Sequence, residues 1–197
     1  MSVVHGHHGT FAGAEHWAKR LDDPTRDAWQ LPDEVLRALN LEPTMTVADV
    51  GAGTGYFAVR LARAIPNGKV IATDTEPDMV RYLEARAERE QLQNLRVALA
   101  TTTSLGLPAN GVDAIVIVHV WHHLDKRTAY ARQLAAALRG HGRLFIVDFS
   151  PSAQTGPPQH MRTSPETVAA ELAEAGFSVS ASPIALPDQY IVEAQLP

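Results

Sequence analysis

Three glycines at positions 51, 53 and 55, an aspartate just before them at 49 and another at 74 are the residues of this chain best suited to holding a cofactor. The run Val47-Ala48-Asp49-Val50-Gly51-Ala52-Gly53-Thr54-Gly55-Tyr56-Phe57 reads as a buried strand, a glycine turn and the start of a helix. A second strand over residues 69–73 ends on Asp74. Glycine has no Cβ, so backbone at such a turn can come close to a ligand. A carboxylate at the end of the second strand can accept hydrogen bonds from both hydroxyls of a ribose. Together they imply a cofactor with a nucleoside at one end.

The glycine spacing narrows the choice. A dinucleotide site wants G-x-G-x-x-G, whereas position 56 here is Tyr, which would crowd the helix start where a pyrophosphate rests on N–H groups. G-x-G-x-G after the acidic strand residue Asp49 instead resembles motif I of the class I methyltransferases, which use S-adenosylmethionine (SAM) and release S-adenosylhomocysteine. In that family the loop wraps the amino-acid end of SAM and the acidic residue ending strand two holds the ribose. The resemblance therefore implies cofactor contacts at Asp49, Gly51, Ala52, Gly53, Gly55 and Asp74, with Thr75 and Met79 at the next helix start. After strand three the family usually has an acidic residue facing the adenine amino group. Here Thr101 and Thr102 stand there; the Thr101 hydroxyl can accept one hydrogen bond and the Thr102 N–H can reach the ring, a weaker contact.

Methyl transfer from a sulfonium is an in-line displacement, so the protein mainly positions the nucleophile and excludes water. A base helps where the nucleophile is a hydroxyl or an acidic carbon. His119, at the end of strand four, falls where the ends of parallel strands line a ligand crevice. It is the candidate base and a candidate cofactor contact, since imidazole titrates near neutral pH. His122 and His123 follow before the next helix; one of them at most is expected to face the pocket, and helix-start packing is the simpler role for both. Trp121, Tyr56, Phe11, Trp17 and Trp29 form an aromatic stock that could flank a sulfonium or shape an apolar site. His5, His7 and His8, with His16 beyond, suggest weak metal binding, but a metal site needs fixed geometry and a further ligand. A tail without a metal is the reading kept, with a variant in which it folds over the pocket beside His160.

The elements that must position these groups follow from periodicity and punctuation. A helix is predicted over 32–41, a strand over 46–50, a helix over 56–65 that stops before Pro66-Asn67-Gly68, and a strand over 69–74. Pro77 opens a helix whose inner face is Met79, Leu83 and Ala87, with Thr75 or Glu76 as its cap. Strands are predicted over 96–100 and 112–119, the latter nearly all apolar as a strand covered on both faces should be. Asp125 is expected to cap a helix that Gly140 ends, followed by a strand over 143–149. Ser164-Pro165 starts a last helix, and strands over 177–182 and 190–196 are too closely joined for a crossover, so they pair antiparallel. This is an α/β, Rossmann-like, seven-stranded, mostly parallel sheet with a C-terminal antiparallel hairpin and helices on both faces. It again resembles the class I methyltransferase fold, over about residues 33–197. The Glu76-Pro77-Asp78-Met79 helix start and the His122-His123-Leu124 run resemble the small bacterial ubiquinone/menaquinone-methyltransferase-like group. Residues 1–31 precede this 32–197 domain as a cap or lid, and the 150–163 loop, with Gly156-Pro157-Pro158, lies beside the crevice.

Composition sets the outer limits. The chain has 197 residues, enough for one domain with a substantial core. It has no cysteine, which excludes disulfides, thiolate metal sites and cysteine-based methyl transfer. No apolar run is long enough to span a membrane, and no signal core opens the chain, so a cytoplasmic location is expected. Net charge is −5 with no concentrated basic face, so the expected partner is a small-molecule acceptor at O, N, S or C, without nucleic acid or membrane. Two other functions compete: a SAM-binding regulatory module without turnover, and a nicotinamide-dependent oxidoreductase, which the glycine spacing and Tyr56 disfavour.

Overall fold

In the computed structural model, residues 12–101 and 103–197 are described. The described residues open with two short helices, α1 (Ala14–Leu21) and α2 (Asp27–Gln30), followed by α3 (Pro32–Leu39). An alternating series comes next: β1 (Thr46–Val50), α4 (Tyr56–Ala64), β2 (Lys69–Asp74), α5 (Pro77–Arg89), β3 (Leu95–Leu99), β4 (Val112–Val118), α6 (Arg127–Ala137) and β5 (Leu138–Phe149). The chain closes with α7 (Pro165–Glu174), β6 (Ser178–Ala181) and β7 (Gln189–Gln195).

The seven strands lie in the order β3-β2-β1-β4-β5-β7-β6. The pairs from β3 to β5 are parallel, while β7 runs antiparallel to both β5 and β6. The expected antiparallel pair is therefore present, with β7 inserted as its inner member. Both faces of the sheet are covered, which is why β4 reads as a continuous apolar run. On one face Val47, Val116 and Phe145 pack with Val35 and Leu39 of α3, Phe57 and Leu61 of α4, and Leu83 of α5. On the other, Ala48, Ile115 and Ile146 pack with Leu134 of α6 and Val168 and Leu172 of α7.

Local signals explain most boundaries. Pro32, Pro77 and Pro165 open α3, α5 and α7, where a missing N–H costs nothing. The Ser164 side chain accepts the Thr167 N–H to cap α7. Glu76, not Thr75, holds the cap position of α5, without a side-chain hydrogen bond. The expectation for α6 needs correction at both ends. Its cap position is Lys126 instead of Asp125, and the helix ends at Ala137, three residues before Gly140. Leu138 is drawn into β5 because it pairs with Val112; the register then shifts before Arg143 meets Ala114. Tertiary pairing overrides the helical periodicity that Leu138 continues.

Order reverses between β1 and β4, the two strands that flank the centre of the sheet. At such a switch point connections leave to opposite sides and open a crevice beyond the strand ends. The glycine loop after β1 and the His119–Val120 turn after β4 lie at this edge. The 14–31 segment is bound to it: Thr54 Oγ1 donates to Asp22 Oδ1 at 2.9 Å, and Arg86 Nη1 pairs with the same oxygen at 2.8 Å. The Gly13 N–H also donates to Asp78 Oδ2 at 2.8 Å. The 150–163 loop is held just as firmly. Arg162 donates to the carbonyls of Ala153 at 2.7 Å and Pro157 at 2.8 Å, and Asp188 accepts the Gln154 N–H at 2.9 Å.

Candidate active site

Gly51, Gly53 and Gly55 all have positive φ, at 75°, 55° and 91°. Glycine enters this region without the steric cost borne by other residues. The loop is laid across the end of β2, with the N–H groups of Gly51 and Ala52 both donating to Thr73 O at 2.8 and 3.0 Å. Asp74 grips it from below: Oδ2 accepts the Gly53 N–H at 2.8 Å and Oδ1 the Glu76 N–H at 3.0 Å. A Cβ on Gly51 would stand 2.5 Å from Val120 Cγ2, and one on Gly55 would stand 2.2 Å from Leu83 Cδ1. The loop is thus wedged between the turn after β4 and helix α5.

Asp49, at 2 % exposure, points under the loop toward the first turn of α4. Its Oδ2 has no hydrogen-bond partner among the described residues. Burial, and next the charge of Asp74, push its carboxyl up to about 7, against the opposing pull of the Ala58 N–H and the Arg26 guanidinium. A buried carboxylate with an unused oxygen beside a second carboxylate suits a ligand that brings positive charge.

Between these groups lies a narrow cleft lined by Gly51, Asp74, Thr75, Ala100, Val120 and Tyr130. It encloses ≈ 60 Å³, below the roughly 300 Å³ at which small-molecule sites begin. The residues fit SAM in kind, with backbone open to close approach, an orphaned anionic oxygen, and apolar walls for an adenine. Admitting it requires the walls of the cleft to part. Of the residues expected to contact a cofactor, Gly51, Asp74 and Thr75 line the cleft, while Ala52, Gly53 and Gly55 form the adjoining loop and Asp49 lies beneath it. Met79 is 1 % exposed on the inner side of α5 and does not line the cleft. Thr101 is exposed and bridges to Ser104, with its N–H donating to Ser104 O at 2.7 Å. Thr102 lies outside the described residues, as do His5, His7, His8 and Phe11. Among the described residues no group of three His, Cys, Asp or Glu side chains is placed to hold a metal.

His119 occupies the first position after β4 with a positive φ of 56°, a conformation that costs a non-glycine residue of order 1–3 kcal/mol. Its N–H donates to Val147 O at 2.9 Å. The ring stacks on Phe149 with centroids 4.0 Å apart, and Trp29 of α2 stacks nearly parallel at 5.8 Å. Its Nε2 lies 3.0 Å from Gln189 Oε1. The amide nitrogen of Gln189 donates to the carbonyls of Trp29 and Gln30. Its oxygen must therefore face His119, which makes Nε2 the protonated nitrogen. Gln30 Nε2 donates to the same oxygen, and Gln30 Oε1 accepts from Arg26. A line of hydrogen bonds thus runs from the Arg26 guanidinium to the His119 ring. Burial pushes His119 down to about 3. The expectation that it titrates near neutral pH is corrected: it is a neutral, oriented ring, and a poor proton acceptor at Nε2.

His122 has the environment expected of His119. Its Nδ1 is 2.7 Å from Asp148 Oδ1, with side chains only 4 % and 2 % exposed. Asp148 Oδ2 accepts the His122 N–H at 3.1 Å, and Oδ1 also accepts the Phe149 N–H at 2.8 Å. Burial works against the Asp148 charge, but the contacts with His122 dominate and hold its carboxyl below the usual range. Nδ1 is committed as donor, so Nε2 carries the lone pair, and it takes no hydrogen bond from the described residues. A base held by a carboxylate is the usual arrangement for directed proton transfer. Asp148 escaped the sequence reading, although a lone carboxylate ending the apolar run Leu144–Val147 was the signal. Trp121, grouped with the pocket aromatics, is fully buried and donates to Glu171 Oε2 at 2.9 Å. Tyr56 lies between the guanidiniums of Arg26 and Arg60, each 3.9 Å from its ring centroid.

The chain is similar to known methyltransferases in sequence and fold. Residues 47–142 match the methyltransferase domain family. An uncharacterised methyltransferase of Mycobacterium tuberculosis is 36% identical over 126 residues, covering 63% of this chain and 61% of the relative. A probable SAM-dependent methyltransferase of the same organism is 31% identical over 147 residues, or 70% of this chain and 51% of that protein. This chain thus spans between about half and three fifths of the length of these curated relatives. The crystal structure of a SAM-dependent methyltransferase from Aquifex aeolicus superposes with a TM-score of 0.86 at 29% identity, over 92% of this chain and 98% of that one.

Proposed function

We propose that this chain, which carries a class I SAM-dependent methyltransferase domain, moves the methyl group of SAM to a small-molecule acceptor and releases S-adenosylhomocysteine. The observation that carries the reading is the crossing of the glycine loop with Asp74 above the buried, half-unpartnered Asp49, at the point where strand order reverses. SAM, when bound, supplies a methyl group already activated on a sulfonium. The chain's part is then to hold, orient and dry the site. Asp74 and the loop receive the ribose and amino-acid portions, Asp49 offsets positive charge, and Val120, Leu124 and Tyr130 flank the base.

We assign proton removal to His122. With SAM and the acceptor in place, the acceptor's proton would pass to His122 Nε2, and Asp148 would stabilise the resulting imidazolium. The neutral His119 ring, with Phe149 and Trp29, gives the acceptor a flat apolar wall. A planar hydroxylated acceptor of the quinol or phenol kind suits that wall, in line with the resemblance to quinone methyltransferases. Residues 1–31 are proposed as the cap, supported by the packing of 14–31 on the glycine loop. A cytoplasmic location belongs to the same proposal; among the described residues no helix is long and apolar enough to cross a membrane.

Calorimetric titration with SAM, S-adenosylhomocysteine and NAD tests the cofactor, with micromolar binding expected for the first two alone. Release of S-adenosylhomocysteine in the presence of phenols, quinols, amines or thiols tests turnover. Binding of NAD alone would remove the reading, and SAM binding without turnover on any acceptor class would favour a regulatory module.

A further inference from the structure

Arg26 is a partly buried cation that makes no ion pair among the described residues. Of the acidic side chains around it, Asp27 pairs with Arg60 at 2.9 Å and Asp22 with Arg86 at 2.8 Å, while Asp49 acts on it only from beyond ion-pair distance. Its own partners are neutral oxygens. Nε and Nη2 reach Gln30 Oε1 at 3.2 and 3.1 Å, and Nη1 reaches Leu21 O at 2.8 Å. A guanidinium has five N–H donors, so these contacts leave two of them, one on each terminal nitrogen, available to a further acceptor. Burial, the largest influence, lowers it to about 10. Leaving a guanidinium away from water without a counter-charge is costly unless a ligand supplies one.

Its place in the fold identifies the ligand. Arg26 lies over the ring of Tyr56, the residue that follows Gly55, with Cζ 3.9 Å from the centroid. Leu21, whose carbonyl Arg26 holds, has its Cδ1 3.6 Å from where a Cβ on Gly53 would stand. The cation therefore hangs from the cap directly over the loop assigned to the amino-acid end of the cofactor. The opposite edge of the cleft, at Asp74, is anionic and would repel a carboxylate.

We propose that Arg26 binds the carboxylate of the amino-acid end of SAM through its two unused N–H groups, so that the cofactor fastens the cap over the site. This rests on the SAM reading above. Arg26 also bonds Gln30, and Gln30 and His119 share the oxygen of Gln189, so docking the carboxylate fixes the wall of the acceptor site as well. Cofactor is then expected to bind before acceptor.

The test is calorimetric titration of the wild-type chain, Arg26→Gln and Arg26→Lys with S-adenosylhomocysteine and with 5′-methylthioadenosine, which lacks the amino-acid end. Arg26→Gln is expected to weaken S-adenosylhomocysteine by about 10- to 100-fold, the range of a charge-assisted hydrogen bond, and to leave methylthioadenosine within about threefold. Arg26→Lys, which keeps the charge and loses the fork, should fall between. Equal loss for both nucleosides, or loss for neither, overturns the assignment. Should Arg26→Gln fail to fold, the wild-type chain decides with S-adenosylhomocysteine against its carboxamide: weaker binding of the carboxamide by about tenfold or more supports the proposal, and equal binding overturns it. Failure of the wild-type chain to bind either nucleoside removes the SAM reading itself, whereas tight binding indifferent to the carboxylate removes only the role of Arg26.

Discussion

His122 and Asp148 face each other at 2.7 Å beneath the turn that follows β4, and the same carboxylate also holds the main-chain N–H of His122. Two contacts to one residue fix both the ring and the turn carrying it. His122→Ala is therefore expected to lower kcat by about 10²- to 10⁴-fold, the usual contribution of a general base. Affinity for S-adenosylhomocysteine should stay within about threefold. Asp148→Asn should lower kcat too and also destabilise the fold, because three N–H groups, the His122 ring and the main chain of His122 and Phe149, lose a charged acceptor. Single-turnover rates with parallel melting curves check both, and an undiminished rate in His122→Ala would move the proton transfer elsewhere.

Asp49 makes stability depend on pH in an unusual sense. Its carboxyl is raised from 3.8 to about 7 in the folded state, so between those values the native chain holds a proton that the unfolded chain has lost. That contribution is full below 3.8 and disappears as pH rises through 7. Asp49→Asn should raise the melting temperature at pH 8 by about 2–6 °C for a chain of this size, with little effect near pH 4. The same variant should bind SAM more weakly. Scanning calorimetry at the two pH values, followed by a SAM titration, separates these effects.

His119 acts in the opposite direction. Its folded-state value is lowered from 6.5 to about 3, so it contributes stability that is complete above 6.5 and is lost as pH falls toward 3. In the wild-type chain the two groups partly cancel between pH 4 and 6.5. Denaturant titrations should uncover each: Asp49→Asn gains stability as pH rises through that window, and His119→Gln loses it.

Gly51 is predicted to tolerate no side chain. Alanine there meets Val120 at 2.5 Å and must adopt a φ of 75°. Gly51→Ala should abolish SAM binding at micromolar concentration and destabilise the fold by about 1–3 kcal/mol. Adding Val120→Ala relieves the contact but not the backbone strain, so the double variant should recover part of the stability. Full recovery would show that the backbone conformation costs little.

The alternation of strands and helices and the glycine loop were legible in the sequence because both are local. The run from Val47 to Phe57 contains its strand, turn and helix start, and Asp74 is positioned by an apolar strand ended by a turn. The end of α6 was not legible, since Leu138 continues the helical spacing and only its pairing with Val112 draws it into β5. The different surroundings of His119 and His122 were not legible for a similar reason. His119 and His122 both follow an apolar strand, and what separates them comes from residues distant in the chain. Gln189, 70 positions away, directs Nε2 of His119, while Asp148, 26 positions away, directs Nδ1 of His122. Trp29 gave no signal of its own; its position over His119 depends on the packing of α2 against the sheet edge.

The insertion of β7 between β5 and β6 has a consequence for synthesis. The strand that fills this gap follows β6 in the chain, so both of its neighbours are made before it, and it brings Gln189, the residue that orients His119 and fastens Gln30. A nascent chain still inside the ribosome tunnel at that strand can stack β1 to β5, but it leaves β5 with a bare hydrogen-bonding edge. The cap likewise lacks the contacts that Gln189 makes to Trp29 and Gln30. Completion of the site therefore waits on a strand that is made after β1 to β6.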